Sequence, residues 1–186
     1  MPQAATAGIK QEIGAPVDDF QLTAVSGEIS GLEAHLEGRK GAVVVFWSGV
    51  CSHCVRYDQY LNSFAQRHPE IALLAVASRQ GETLEQIRAT IAERQLRFPM
   101  LHDPGGKVAE RWAVQQTPRV FLVDSNRVLL YRGAIDNFKY PDDPEHIPYL
   151  DPAISQFLAG EPLIRTETAS FGCAIRSVYY ILPKAL

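Results

Sequence analysis

Two uninterrupted apolar runs constrain the fold of this chain more than any other feature of its sequence. Residues 42–47 and 71–77 each consist entirely of aliphatic and aromatic side chains. Such runs are typical of strands that are buried on both faces of a parallel sheet. Between the two runs, Tyr57, Leu61 and Phe64 recur at the spacing of one helix face. The sequence therefore predicts an α/β fold in which a helix connects two central strands.

The remaining elements are predicted from shorter periodic segments and from turn residues. Helices are predicted at residues 54–68, 83–95, 107–112 and 151–159. Strands are predicted in an N-terminal β-hairpin within residues 14–30 and in a second hairpin formed by residues 119–124 and 127–132. The second hairpin adds antiparallel strands at one edge, so the predicted central sheet is mixed and is flanked by helices.

A single domain is expected, because 186 residues of 46% apolar composition suffice for one core and are few for two. We assign residues 1–13 to a flexible N-terminus and residues 14–160 to the domain. Residues 161–186 form an irregular C-terminal tail in this prediction, since they show no clear period.

Charge and hydropathy exclude two classes of function. The net charge of -3 provides no basic surplus for phosphates, so no nucleic-acid partner is expected. No apolar run approaches the roughly 18 residues that span a bilayer, so no membrane span is expected. Residues 1–10 lack the pattern of a signal peptide. The expected compartment is cytoplasmic, or exported and periplasmic if a signal peptide has been removed.

The motif Cys51-Ser52-His53-Cys54 lies where the first buried strand ends and the helix begins. Cysteines three apart in a first helical turn lie on one face, about 5 to 6 Å apart at Cβ, which is close enough for a disulfide. A third cysteine leaves an odd count, which argues against a fully paired structural framework. The motif favours redox chemistry over a role as one half of a zinc site, because no second CxxC accompanies it.

Position within the motif predicts a role for each residue. Cys51 lies where free N–H groups and the helix dipole favour an anion, so its pKa should be lowered and it is the predicted nucleophile. Cys54 lies one turn further in and is the predicted resolving thiol. A positively charged His53 would favour the Cys51 thiolate further, although His53 could equally be an exposed polar residue without a catalytic role.

Three further segments carry a resemblance to a known family. They are the hairpin residues 14–22, the pair Phe46-Trp47 ahead of the motif, and Gln116-Thr117-Pro118 ahead of a predicted strand. Together they resemble the thioredoxin-like superfamily, and within it the redoxin branch of AhpC/TSA, TlpA and ResA type proteins. The resemblance implies that Pro118 is cis and lies against the CxxC motif. It also implies substrate-binding roles for Thr117, whose backbone would pair with a substrate strand, and for Trp47.

The sequence departs from that family at several positions. Val45 replaces the buried acidic residue that helps to deprotonate the resolving thiol, and Val50 replaces a tryptophan often found before the first cysteine. No PxxxTxxC motif surrounds Cys51, which weakens a peroxidase interpretation. Asp58, one turn past Cys54, could be a substitute carboxylate, but an exposed acid of the helix face is the preferred interpretation.

The tail contains the third cysteine. Residues 166–176 resemble a Gly-Cys-x-Ile-basic ending of some redoxin-domain proteins. If this segment folds back over the motif, Cys173 is a possible third redox thiol. The alternative is an idle cysteine that packs as a small hydrophobic side chain.

The sequence thus predicts a thiol–disulfide oxidoreductase that needs no cofactor. Its expected partners are protein or small-molecule thiols and disulfides, including a redox partner protein. The alternatives are a thiol peroxidase that uses Cys51, a copper chaperone, and an interaction module with an idle motif. Copper ligands would come from Cys51, Cys54 and either His53 or His102.

Overall fold

A computed structural model describes residues 11–176 of the chain. The strands are β1 (Gln21–Ala24), β2 (Ile29–Gly31), β3 (Gly41–Trp47), β4 (Ile71–Ala77), β5 (Met100–His102), β6 (Gln116–Thr117), β7 (Arg119–Asp124), β8 (Leu129–Gly133) and β9 (Cys173–Ala174). The helices are α1 (Leu32–Leu36), α2 (Ser52–Val55), α3 (Asp58–Asn62), α4 (Phe64–Arg67), α5 (Leu84–Arg94), α6 (Lys107–Arg111) and α7 (Leu150–Leu158). A 3₁₀ turn at Pro104–Gly106 precedes α6.

Seven strands form one mixed sheet in the order β2-β1-β5-β4-β3-β7-β8. Strand β3 is parallel to β4 and antiparallel to β7, and all seven of its residues are buried. The short strands β6 and β9 pair with each other in a second sheet. The predicted α/β fold with a mixed central sheet, an N-terminal hairpin and helices on the faces is confirmed.

The core has one cluster on each face of the sheet, because successive side chains of β3 point to opposite faces. Val43, Val45 and Trp47 lie in the same cluster as both cysteines of the motif. The other cluster contains Phe46 and Trp112, whose ring centroids lie 5.7 Å apart. The motif that follows β3 therefore lies in the core cluster on one face of the sheet.

The helix predicted at residues 54–68 is broken into α2, α3 and α4. Tyr57 has φ -101° and ψ 5°, which interrupts the regular helix between α2 and α3. Ser63 separates α3 from α4, and its hydroxyl donates to the Tyr60 carbonyl oxygen at 3.2 Å. Such a side-chain bond competes with the helical backbone pattern. The helical spacing of Tyr57, Leu61 and Phe64 correctly predicted helical structure here, but the prediction of one continuous helix is wrong.

Both ends of the described chain are packed. Gln11, assigned above to a flexible segment, is buried, and its side chain donates to the Arg111 carbonyl oxygen at 3.1 Å. Residues 11–13 therefore belong to the packed domain, and residues 1–10 lie outside the described residues. In the tail, Thr166 and Thr168 form backbone hydrogen bonds with Arg132 of β8 at 3.0 and 3.1 Å. Residues 177–186 also lie outside the described part.

Within residues 11–176, no helix has both the length and the apolar character needed to cross a membrane.

Candidate active site

The loop between β3 and α2 is held by a buried carboxylate that the sequence analysis did not identify. Glu82 accepts hydrogen bonds from the Ser48 hydroxyl at 3.0 Å and from the Gly49 N–H at 2.8 Å. A Cβ atom at Gly49 would lie 2.8 Å from the Glu82 carboxylate and 2.9 Å from the Thr90 hydroxyl. A side chain at position 49 would therefore have to displace the Glu82 carboxylate or Thr90, and the carboxylate's hydrogen bonds hold the loop ahead of Cys51.

An ion pair holds the same loop from the other side. Arg94 donates to the Gly49 carbonyl oxygen at 3.0 Å and pairs with Asp58 at 2.7 Å. The side chain of Asp58 is largely buried in this pair, so the expectation of an exposed acid is wrong. Both carboxylate oxygens of Asp58 accept hydrogen bonds from Arg94. Asp58 is therefore a structural partner of the loop rather than a free base for Cys54.

The two thiols of the motif are buried and have opposite acidities. The pKa of Cys51 is lowered to about 4, chiefly because the Cys54 thiol donates a hydrogen bond to its sulfur. Cys173 and Thr117 contribute further hydrogen bonds that lower this pKa, against the effect of burial. Burial raises the pKa of Cys54 well above its usual range, and the hydrogen bond to Cys51 raises it further. One thiolate and one protonated thiol thus lie side by side, as nucleophile and resolving group require.

The Thr117-Pro118 peptide is cis, which confirms the expectation for this loop. In its thiol form Cys51 donates a hydrogen bond to the Thr117 carbonyl oxygen at 3.3 Å. The proline loop therefore lies directly against the motif. The backbone of Thr117, which the family resemblance predicts to pair with a substrate strand, is paired here with Cys173 of β9.

The structure brings Cys173 to the motif by folding the tail back across the proline loop, although Cys173 lies 119 positions after Cys54 in the sequence. All three cysteines are free thiols. Burial raises the pKa of Cys173, and its hydrogen bond to Cys51 raises it further. Cys173 is partly exposed, whereas Cys51 and Cys54 have no exposed surface.

The other predicted site residues lie at two depths. His53 is half-buried and lines a cavity of about 460 Å³ together with Pro118, Tyr57 and Asp136. Trp47 is fully buried, with the Arg94 guanidinium 5.5 Å from its ring centroid. Its ring packs in the same core cluster as Cys51 and Cys54, and the substrate-binding role expected for Trp47 stays a prediction.

A polar network on the cavity wall was also missed by the sequence analysis. The Tyr57 hydroxyl donates to Asp136 at 2.6 Å, and a ring nitrogen of His146 lies 2.9 Å from the other Asp136 oxygen. Burial raises the pKa of Tyr57, and Asp136 raises it further. Asp136 and His146 lie in irregular segments, where no periodic signal marks them in the sequence.

The ligands considered for copper are not assembled. His102 lies on β5, and a nitrogen of its ring is 3.1 Å from the Glu82 carbonyl oxygen. Among residues 11–176, no group of three or more His, Cys, Asp or Glu side chains is arranged to hold a metal ion.

Comparison with known proteins places the chain in a family. The family model described as AhpC/TSA matches residues 13–132. The thiol-disulfide oxidoreductase ResA of Bacillus thuringiensis subsp. konkukian is 27% identical over 117 residues, which are 63% of this chain and 66% of the relative. The chain thus spans slightly less than two thirds of the length of this curated relative.

Two solved structures are similar over nearly the whole chain. A hypothetical protein from Sinorhizobium meliloti 1021 has a TM-score of 0.79 and 27% identity, and covers 90% of this chain and 95% of its own. An uncharacterized conserved protein from Geobacillus kaustophilus has a TM-score of 0.78 and 23% identity over all of both chains. The sheet order, the CxxC junction and the cis-proline loop are those of a thioredoxin-like fold. With its family match over residues 13–132, the chain belongs to the AhpC/TSA family.

Proposed function

We propose that this protein is a thiol–disulfide oxidoreductase. The Cys51 thiolate attacks one sulfur of a substrate disulfide, and the other substrate sulfur leaves as a thiolate. Cys54 then loses its proton and attacks the Cys51 sulfur, which forms the Cys51–Cys54 disulfide and releases the second substrate thiol. The substrate is reduced by two electrons, and the same steps in reverse oxidise a dithiol.

The observation that supports this proposal is the split acidity of two adjacent thiols beneath the proline loop. Cys51 is a thiolate at neutral pH, while Cys54 keeps its proton until the mixed disulfide has formed. The name of the curated relative, thiol-disulfide oxidoreductase, agrees with this chemistry. Protein and small-molecule disulfides are the proposed substrates, with a redox protein as the partner.

Alkylation with iodoacetamide tests the assignment of the two roles. Because only the thiolate reacts, the labelling rate of Cys51 should change little between pH 5 and 8 and should fall towards the pKa of about 4. Cys51 should be labelled before Cys54, as read by mass spectrometry of the peptides. The pH dependence is the informative quantity, since burial slows the absolute rate at every pH.

Two results would contradict the proposal. One is preferential labelling of Cys54, and the other is failure of the Cys51–Cys54 disulfide to form with diamide. Rapid consumption of hydrogen peroxide by the reduced protein, without exchange of model disulfides, would favour the thiol peroxidase alternative instead.

His53→Ala tests the predicted tuning role of the histidine. If the positive form of the histidine favours the thiolate, as predicted from the sequence, loss of the ring should raise the pKa of Cys51. The couple should also become less oxidising, and a change of 30 mV corresponds to roughly 1.4 kcal/mol for two electrons. Thiolate absorbance against pH measures the pKa, and equilibrium with glutathione measures the reduction potential.

The control is Ser52→Ala, which changes the exposed neighbour of His53. An unchanged or lower pKa in His53→Ala would show that the histidine is a bystander.

A further inference from the structure

The predicted nucleophile is covered by the chain's own tail. Cys51 has no exposed surface, although a substrate disulfide must reach its sulfur. Strand β9 pairs antiparallel with β6, with Thr117 opposite Cys173 and Gln116 opposite Ala174. The backbone edge beside the cis-proline is thereby occupied by an extended segment, in the way that a peptide adds a strand to a sheet edge.

The fit of this segment against the proline loop is close enough to require a glycine. A Cβ atom at Gly172 would overlap the Thr117 carbonyl oxygen and would lie 2.5 Å from the Thr117 carbonyl carbon. It would also lie 3.2 Å from the Pro118 nitrogen. These neighbours are backbone atoms and cannot move aside as a flexible side chain would. Any larger residue at position 172 would push the tail off the loop.

The segment is anchored on both sides of Cys173. Before it, the Ser170 hydroxyl accepts hydrogen bonds from Gln116 at 3.2 Å and from Arg119 at 3.1 Å. After it, the buried Ile175 donates its N–H to the Gln115 carbonyl oxygen at 2.9 Å. Further along, Arg176 pairs with Glu110 at 2.9 Å. These anchors fix the position of Cys173 over the motif.

The thiol of Cys173 lies where the sulfur of a bound substrate would have to be. Cys173 pairs with Thr117, whose carbonyl oxygen lies 3.3 Å from the Cys51 sulfur, so the tail places Cys173 beside that sulfur. Hydrogen bonds from the Cys173 side chain and backbone also help to lower the pKa of Cys51. Cys173 is also the one cysteine of the three with some exposed surface. An external thiol or disulfide therefore meets Cys173 more readily than it meets Cys51.

We propose that Cys173 is a third redox thiol, which exchanges directly with Cys51 as a substrate built into the chain. In the oxidised protein, the Cys173 thiolate attacks the Cys51 sulfur, the Cys51–Cys54 bond breaks and the Cys51–Cys173 disulfide forms. Cys54 leaves as a thiolate and takes up the proton that Cys173 gave up. No electrons are gained or lost in this step. An external thiol then attacks the Cys173 sulfur, which breaks the Cys51–Cys173 bond, releases the Cys51 thiolate and leaves a mixed disulfide on Cys173. A second external thiol attacks the outer sulfur of that mixed disulfide and releases the Cys173 thiol, so the buried pair is reduced and the two external thiols leave as a disulfide. This inference rests on the proposed function of Cys51.

The decisive experiment uses the full chain with Cys54→Ser, which leaves Cys51 and Cys173 as the only thiols. Treatment with diamide, which accepts two electrons and two protons, should convert this variant to a monomeric Cys51–Cys173 disulfide. Peptide mapping by mass spectrometry without reductant identifies the bond. In the control Cys51→Ser, the remaining pair Cys54 and Cys173 should form no such bond.

Gly172→Ala in the Cys54→Ser background tests whether the fitted tail is what brings the thiols together. Formation of the Cys51–Cys173 disulfide should become at least about tenfold slower, because the added methyl group displaces the strand. The matched control is Ala174→Ser, which changes an exposed side chain of the same strand. An equal rate in the two variants would contradict the role assigned to the tail.

Cys173→Ser in the otherwise native chain separates this inference from the proposed function. It should still form the Cys51–Cys54 disulfide, but glutathione should reduce that disulfide at least about tenfold more slowly than in the native protein. Normal Cys51–Cys54 chemistry with no Cys51–Cys173 bond in Cys54→Ser, or with an unchanged reduction rate in Cys173→Ser, would overturn the inference alone. Absence of the Cys51–Cys54 disulfide from the native protein would overturn the proposed function.

Discussion

As the pH rises from 4 to about 8.5, the free energy of unfolding of the reduced protein should increase by a few kcal/mol more than that of the Cys51–Cys54 disulfide form. In the folded protein Cys51 has a pKa of about 4, whereas an unfolded cysteine has a pKa of about 8.5. Between these values the unfolded chain binds a proton that the folded chain does not, so stability increases with pH. The contribution is complete above about pH 8.5 and is lost as the pH falls through about 4.

Urea unfolding of the reduced and oxidised proteins at matched pH measures this difference. The oxidised form has no Cys51 thiol, so its profile reports the carboxylates and other groups that the two forms share. Reduced Cys51→Ser should lose the additional pH dependence while retaining the shared part. Parallel profiles for the native reduced and oxidised proteins would show that the Cys51 thiolate is not stabilised in the folded state.

Glu82→Ala should lower the free energy of unfolding by roughly 2 to 4 kcal/mol. The substitution removes the acceptor for two buried donors, the Ser48 hydroxyl and the Gly49 N–H, and an unsatisfied buried donor costs about 1 to 3 kcal/mol. The loop ahead of Cys51 also loses its fixed path, so we expect the alkylation rate of Cys51 to change as well. Chemical denaturation measures the first effect and iodoacetamide labelling the second.

Glu82→Gln is the conservative variant, because its one amide oxygen can still accept from one of the two donors. Its free energy of unfolding should lie between that of the native protein and that of Glu82→Ala. Glu93→Ala removes an exposed acid on helix α5 and should change stability by less than about 0.5 kcal/mol. Equal stability of Glu82→Ala and Glu93→Ala would contradict the structural role of the buried carboxylate.

The elements that could be predicted from sequence are those whose signal is local. Residues 42–47 and 71–77 formed the expected strands because strands buried on both faces leave continuous apolar runs. The helix expected at 83–95 begins at Leu84, because Thr83 is its N-cap and forms a capping box with Gln86. The position of the CxxC motif followed from the same local pattern, since it comes directly after a buried strand.

The remaining parts of the site depend on contacts between distant residues. Strands β6 and β9 have two residues each, too few for any period to appear in the sequence. Glu82 and Arg94 are charged residues beside or within an amphipathic helix, where such residues are usually exposed to solvent. Their burial becomes apparent only when the loop of residues 48–50 packs against α5. Likewise, Gly172 is marked in the sequence only as part of the Gly-Cys-x-Ile-basic ending, and its close contact with the Thr117 carbonyl becomes apparent only in the fold.

The pairing of β9 with β6 also affects which molecules can reach the proline loop. Thr168 is fixed to β8, so only a few residues tether Cys173 to an anchored point of the domain. A tethered segment acts at a high effective concentration, in the millimolar range for short linkers, and is not diluted with the protein. Under the proposed function, an incoming peptide strand would have to compete with this segment for the same backbone edge. We therefore expect the loop to discriminate against weakly binding strands even where they carry an accessible disulfide.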